Sequence, residues 1–121
     1  MEPIIEGKFQ QVLDGRKKFD FPTCHIGQSG RSYVCYISSD AARILDDIGP
    51  VNWYLNDNYI VCLPSKAVTA FKPMYFKGRT KGYCFPKVLI ANRTVKPGYY
   101  RLYRYKSGFA FKRYEQLEVT R

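Results

Sequence analysis

Residues 51–64 read Val-Asn-Trp-Tyr-Leu-Asn-Asp-Asn-Tyr-Ile-Val-Cys-Leu-Pro. The segments Val51–Leu55 and Tyr59–Pro64 are rich in β-branched and aromatic residues, which favour strands. The intervening residues 56–58 are Asn and Asp, which tolerate the left-handed backbone of a tight turn. This stretch therefore predicts a β-hairpin, and it leans the whole chain towards a β fold.

A second hairpin is predicted near the C-terminus. Tyr99–Tyr105 and Phe109–Tyr114 flank a predicted three-residue loop, Lys106-Ser107-Gly108, with glycine in the last position. Alternation along the first strand separates two faces, and Leu102 marks the one that contains it as the core side. The predicted core side holds Tyr100, Leu102 and Arg104, and the opposite side holds Tyr99, Arg101, Tyr103 and Tyr105.

Helical signals are few. Ser38 or Ser39 can cap a helix over Asp40–Ile48, which Gly49-Pro50 stops, and Lys87–Asn92 can form a helical turn or two. The predicted fold is mainly β with one or two short helices, arranged as a small barrel of β-hairpins. The 121 residues fit one domain, 1–121, because no linker or low-complexity segment divides them.

An internal repeat is suggested by two similar segments. Gly15–Pro22 and Gly78–Pro86 each contain Gly-Arg-x-Lys, then alternating aromatic residues, then proline. The copies would span residues 7–45 and 70–114, and chance similarity remains the alternative. A genuine duplication predicts a pseudo-twofold barrel made from two interleaved β-turn-β units.

Residues 78–113 resemble the swapped-hairpin unit of AbrB/MazE/MraZ-type DNA-binding proteins. That family has a Gly-Arg turn, a short strand ending in Ile-Pro, a short helix, a Leu-Lys-Pro-Gly-Asp turn and a hairpin. The counterparts here, in chain order, are Gly78-Arg79, Phe85-Pro86, residues 87–93, Val95-Lys96-Pro97-Gly98 and the hairpin of residues 99–113.

The chain departs from the family pattern at three points. Three additional residues separate Arg79 from Pro86, Tyr99 replaces the usual Asp, and Asn92 stands where leucine is usual. A related barrel, such as the plant-type pseudobarrel DNA-binding domains, therefore stays open. The resemblance implies that arginines near the Gly-Arg turn contact DNA, and the matching positions are Arg16 and Arg79.

The charge of the chain is unevenly distributed. Residues 1–64 have a net charge of −2, whereas residues 65–121 have a net charge of +12. No acidic residue occurs between Asp57 and Glu115, where thirteen basic residues lie. A surface evolved only for solubility mixes both signs, so the one-sided stretch indicates a partner with repeated negative charge. Nucleic acid is the commonest such polymer, and an anionic membrane surface is the second possibility.

The sequence therefore predicts a nucleic-acid-binding protein, most simply a regulator that binds double-stranded DNA, with DNA favoured over RNA. Its contacts would be arginines and lysines on phosphates, with tyrosines available for stacking. The predicted nucleic-acid-binding residues are Arg16, Lys17, Lys18, Lys77, Arg79, Lys81, Arg101, Tyr103, Lys106, Lys112 and Arg113.

Catalytic and metal-binding patterns are not recognisable. His25 is the single histidine and neighbours Cys24, but adjacent side chains on an extended segment point apart, which argues against a Cys-His dyad. The pair Asp46-Asp47 has no visible companion ligand, and the four cysteines form no CxxC pair. We therefore expect no enzyme activity, no metal and no cofactor.

The apolar runs are too short for a membrane span, and the acidic start of the chain does not resemble a signal peptide. A cytoplasmic location follows as the expectation, in a host cell if the source is viral. An alternative function is a non-enzymatic viral or mobile-element inhibitor that binds a protein partner. A homodimer is also compatible with the sequence.

Overall fold

A computed structural model describes residues 19–45, 48–75 and 81–118. These residues form nine strands and two short helices. In chain order they are β1 (Thr23–Ser29), β2 (Ser32–Ile37), α1 (Ser39–Ile44), β3 (Val51–Leu55), β4 (Tyr59–Pro64), β5 (Pro73–Tyr75), β6 (Lys81–Phe85), α2 (Lys87–Ala91), β7 (Gly98–Arg101), β8 (Tyr103–Tyr105) and β9 (Gly108–Lys112).

The strands pair into two antiparallel sheets. One sheet has five strands in the order β5-β6-β2-β1-β7, and the other has four in the order β3-β4-β9-β8. The mainly β prediction is confirmed, and so is the hairpin of residues 51–64, in which Trp53 pairs with Cys62. The hydrogen-bonded ladders of the described residues do not join the two sheets, so a closed barrel stays a prediction.

The core lies between the inner faces of the two sheets. The indole of Trp53 packs edge-on against the rings of Phe85 and Phe109, with centroids 5.1 and 6.0 Å away, and its N–H donates to the carbonyl of Cys84. Phe111 continues this layer towards Tyr100, with 5.0 Å between their ring centroids. Rings of this size dominate the apolar area that folding buries, so they hold the two sheets together.

Helix α1 is shorter than the sequence predicts. It ends at Ile44 rather than Ile48, and Ser38 precedes it without a side-chain capping bond. The Ser38 hydroxyl instead accepts a hydrogen bond from the backbone N–H of Thr23, so it ties the helix start to β1. The pair Asp46-Asp47 lies outside the described residues.

The C-terminal hairpin also differs from its prediction. Tyr105 pairs with Gly108, so the turn contains two residues, Lys106 and Ser107, and Gly108 belongs to β9. A Cβ atom at Gly108 would lie 1.8 Å from the carbonyl oxygen of Cys62. Glycine is needed there because β9 and β4 approach closely, not because the turn requires it.

The predicted repeat is only partly within the described residues. Residues 81–85 form a strand, whereas residues 19–22 form none, and the rest of the Gly15-Arg16 segment lies outside the described part. The repeat, the single-domain division and the pseudo-twofold arrangement stay predictions.

Candidate nucleic-acid interface

The strand predicted over Tyr99–Tyr105 is divided by a corner at Leu102. Gly98–Arg101 pairs with the five-stranded sheet, and Tyr103–Tyr105 pairs with the four-stranded sheet. Leu102 is buried, and its N–H donates to the carbonyl of Pro22. The predicted core side is confirmed for Tyr100 and Leu102 and is wrong for Arg104, which is exposed. The corner places Arg101 and Tyr103 at the junction between the sheets.

Two cations contact the ring of Tyr103. The guanidinium carbon of Arg101 lies 5.5 Å from the ring centroid, and the ammonium nitrogen of Lys112 lies 5.8 Å from it. Arg101 also lies over Phe21, 4.5 Å from that centroid. Such cation–π contacts are worth about 0.5–1 kcal/mol at exposed sites. They hold the cationic groups in place without neutralising them.

These side chains surround a cleft of about 160 Å³, which we call the corner cleft. Its volume is that of a single ring-sized group rather than of a drug-sized ligand. The cleft is lined by Phe21, Arg101, Tyr103, Lys112, Glu115 and Leu117.

One ion pair lies in the corner cleft. The ammonium of Lys112 is 3.4 Å from a carboxylate oxygen of Glu115, and both side chains are exposed. The hydrogen bond and negative charge of Glu115 raise the pKa of Lys112. Because solvent and salt screen exposed pairs, an incoming phosphate can exchange with this carboxylate at little cost.

The outer face of the four-stranded sheet continues from the corner cleft. Residues in register across antiparallel strands project to the same side, so Tyr54, on β3, shares a row with Val61, Ala110 and Tyr103. Tyr59 lies opposite Lys112 in the next row. We call this surface the tyrosine face, and it comprises Tyr54, Tyr59, Tyr103, Tyr105 and Lys112.

The tyrosine face is open to solvent at both edges. Tyr54 is 51% exposed and Tyr105 is 42% exposed, while Tyr59 and Tyr103 are half-buried. Charge-based reasoning missed Tyr54 and Tyr59 because they lie in the acidic half of the sequence. Alternation could have found both, because they lie opposite to the core residues Val51 and Ile60 on their own strands.

The predicted site residues have different outcomes. Arg101, Tyr103 and Lys112 come together in the corner cleft. Lys106 lies in the β8–β9 turn, 5.4 Å from the Tyr105 ring, and Arg113 follows β9 with its guanidinium 4.5 Å from the Tyr114 ring. Five further predicted residues lie outside the described part, namely Arg16, Lys17, Lys18, Lys77 and Arg79.

Lys81 does not belong to this surface. Its side chain is only 3% exposed, and its ammonium donates to the carbonyl oxygens of Leu45 and Ile48. The prediction that Lys81 contacts nucleic acid is therefore wrong, because its ammonium is buried and donates hydrogen bonds to backbone carbonyls just after helix α1. Arginine and lysine counts along the sequence do not reveal such burial.

Three of the four cysteines are buried, and His25 is half-buried. Cys24, Cys35 and Cys62 are buried and form no disulfide, and burial raises the pKa of Cys24 and Cys62. The ring of His25 lies between those of Tyr36 and Tyr99, and burial lowers its pKa. Within residues 19–45, 48–75 and 81–118, no three histidine, cysteine or acidic side chains are placed to hold a metal ion.

The molecule is thus a mainly β protein in which basic and aromatic side chains meet at a corner between two antiparallel sheets. Comparisons with protein-family models, curated proteins and solved structures found no match. None of the helices in the described part of the chain is long and apolar enough to span a membrane.

Proposed function

We propose that this protein binds nucleic acid through the corner cleft and the adjoining β8–β9 hairpin. The observation that supports this most is the convergence of Arg101 and Lys112 on one tyrosine ring. Cations alone would suit any anion, and aromatic rings alone would suit any apolar group. Their combination suits a polymer that alternates phosphates with flat bases.

The surrounding charge supports the same proposal. Arg104 and Lys106 are exposed on the hairpin, and Arg113 follows its second strand. Among the described residues that line the corner cleft, Glu115 alone carries a carboxylate. Phosphate contacts by these groups would release counterions, so affinity should fall steeply as salt is added.

The kind of nucleic acid is a separate question. The resemblance of residues 78–113 to AbrB/MazE/MraZ-type proteins favours duplex DNA and a role in transcription regulation. A two-stranded β-ribbon is narrow enough to enter the major groove of a duplex, which is compatible with that role. A homodimer would be compatible with this role.

The proposal is tested by a mobility-shift titration at two salt concentrations with duplex DNA, single-stranded DNA and RNA of one sequence. We expect binding that weakens at the higher salt. In the double variant Arg101→Ala, Lys112→Ala, affinity should fall at least tenfold. The matched control is Arg31→Ala, Arg43→Ala, which removes two exposed cations from the acidic half and should change affinity much less.

Absence of binding to every probe at low salt would overturn the proposal. The alternative function, a protein that inhibits or otherwise contacts a protein partner, predicts a different result. In a pull-down treated with nuclease, its partner would remain bound after the nucleic acid is destroyed.

A further inference from the structure

The tyrosine face differs from an ordinary outer sheet face in its side chains. Outward positions on a solvated antiparallel sheet are normally polar. Here the row that crosses all four strands is Tyr54, Val61, Ala110 and Tyr103, and it contains no charged residue. Tyr54 at one end of the row is 51% exposed, Val61 and Tyr103 are half-buried, and Ala110 is 4% exposed. The ring of Tyr54 is therefore the part of this apolar row that is most open to solvent.

Cations border the tyrosine face on the side of the corner cleft. Lys112 lies directly opposite Tyr59, and its ammonium also approaches Tyr103. Arg101 contacts the same Tyr103 ring from the neighbouring sheet. The face therefore presents aromatic rings on both edge strands and on β4, with positive charge on β9 and at the junction with the neighbouring sheet.

From this arrangement we infer that the tyrosine face binds single-stranded nucleic acid, with unpaired bases stacked on Tyr54 and Tyr103. The inference rests on the proposed binding of nucleic acid, and it names a single strand in place of the duplex that the family resemblance favours. In a duplex both faces of each base are already stacked on neighbouring bases, so an exposed tyrosine ring finds no free base face to stack on. Unpaired bases offer their faces to such rings, and each base–aromatic stack is worth about tenfold or more in affinity.

The spacing agrees with an occupant longer than one nucleotide. Tyr54 and Tyr103 are on the two edge strands, separated by three inter-strand spacings of roughly 4.8 Å, or roughly 14 Å in total. Tyr59 and Lys112 lie in the adjacent row between them. A strand crossing the sheet would thus place bases on the tyrosines and phosphates towards Lys112 and Arg101.

The glutamate in the corner cleft adds a preference among bases. Glu115 can accept a hydrogen bond from an exocyclic amino group, which cytosine and adenine have and thymine and uracil lack. A base that enters the corner cleft beside Tyr103 would meet this carboxylate. We therefore expect oligo(dC) to bind more tightly than oligo(dT), and this difference should disappear in Glu115→Gln.

The test is fluorescence anisotropy with labelled 12-nucleotide single strands, oligo(dC) and oligo(dT), and with a mixed-sequence strand and its duplex. We expect the single strand to bind more tightly than the duplex. Tyr54→Leu and Tyr103→Leu should each weaken single-strand binding about tenfold, which is about 1.4 kcal/mol. Tyr54→Phe and Tyr103→Phe should restore it, because the ring rather than the hydroxyl stacks.

Two controls separate stacking from folding. Tyr75→Leu alters a tyrosine that is 70% exposed on β5 of the other sheet, and it should leave binding unchanged. Trp53 lies between the sheets, so its unaltered emission in each variant reports an intact core.

The outcomes distinguish the inference from the proposed function. Tighter duplex binding, with both leucine variants behaving as the parent protein, would overturn the inference and leave nucleic-acid binding established. Failure of every probe to bind at low salt would overturn both. Loss of single-strand binding in the leucine variants and its recovery in the phenylalanine variants would support both.

Discussion

The ammonium of Lys81 donates a hydrogen bond to the carbonyl oxygen of Ile48 inside the protein. The hydroxyl of Tyr83 donates to the same oxygen at 2.9 Å. Two side chains of β6 thus fix the segment between α1 and β3. A basic residue in the most basic part of the sequence therefore has a role in the core.

The variant Lys81→Met tests this role. Methionine fills similar space but cannot donate to the carbonyls, so we expect the free energy of unfolding to fall by about 1–3 kcal/mol. Urea denaturation followed by Trp53 fluorescence measures it. The exposed Lys72→Met should change stability by no more than about 0.5 kcal/mol. If Lys81→Met left the stability unchanged but weakened nucleic-acid binding, Lys81 would instead belong to the binding surface.

Gly108→Ala tests the close approach of β9 to β4. The added methyl group would overlap the carbonyl oxygen of Cys62, so we expect a loss of about 3 kcal/mol in thermal or urea unfolding. Gly49→Ala is the matched control because a Cβ there meets no atom within 4 Å. Equal stability of the two variants would contradict the described pairing of β4 with β9.

The environment of His25 predicts a pH dependence. Burial lowers the pKa of His25 below its usual value near 6.5, so the unfolded chain binds more protons than the folded protein just below pH 6.5. His25 should therefore not reduce the free energy of unfolding above pH 6.5. Below pH 6.5 the free energy of unfolding should fall as the pH approaches the lowered pKa. Urea midpoints between pH 7.5 and 5.5 measure the effect, and the His25→Gln variant should show a smaller decline. An identical decline in both proteins would assign it to other groups.

The buried thiols predict slow chemical modification. Burial raises the pKa of Cys24 and Cys62, and only the thiolate reacts quickly with an aromatic disulfide reagent. In the native protein at pH 8 we expect Cys24, Cys35 and Cys62 to resist the reagent, and all four cysteines to react after denaturation. Rapid reaction of two or more thiols in the native state would contradict the described core.

The sequence predicts the local elements better than their connections. The hairpin of residues 51–64 follows from its own composition. The corner at Leu102 is not visible in the sequence, because regular alternation through Tyr99–Tyr105 looks like one strand. It depends on a hydrogen bond to Pro22, which is distant along the chain.

The candidate site, like the fold, could be predicted from the sequence only in part. Arg101, Tyr103 and Lys112 were predicted from charge and alternation, and the structure brings them together. Lys81 was wrongly assigned to the site, because the sequence does not distinguish a buried lysine that donates hydrogen bonds to backbone carbonyls from an exposed one that can contact a phosphate. Tyr54 and Tyr59 were missed because their proximity to the basic half arises from the pairing of β4 with β9.

The central claim is that Arg101 and Lys112 contact phosphates, and the salt dependence of binding tests it most directly. The slope of log K against log salt concentration changes by about 0.7 for each phosphate contact with a single strand and by about 0.9 with a duplex. We predict that the double variant Arg101→Ala, Lys112→Ala has a slope shallower by about 1.4–1.8 than the parent protein. An unchanged slope would contradict the claim.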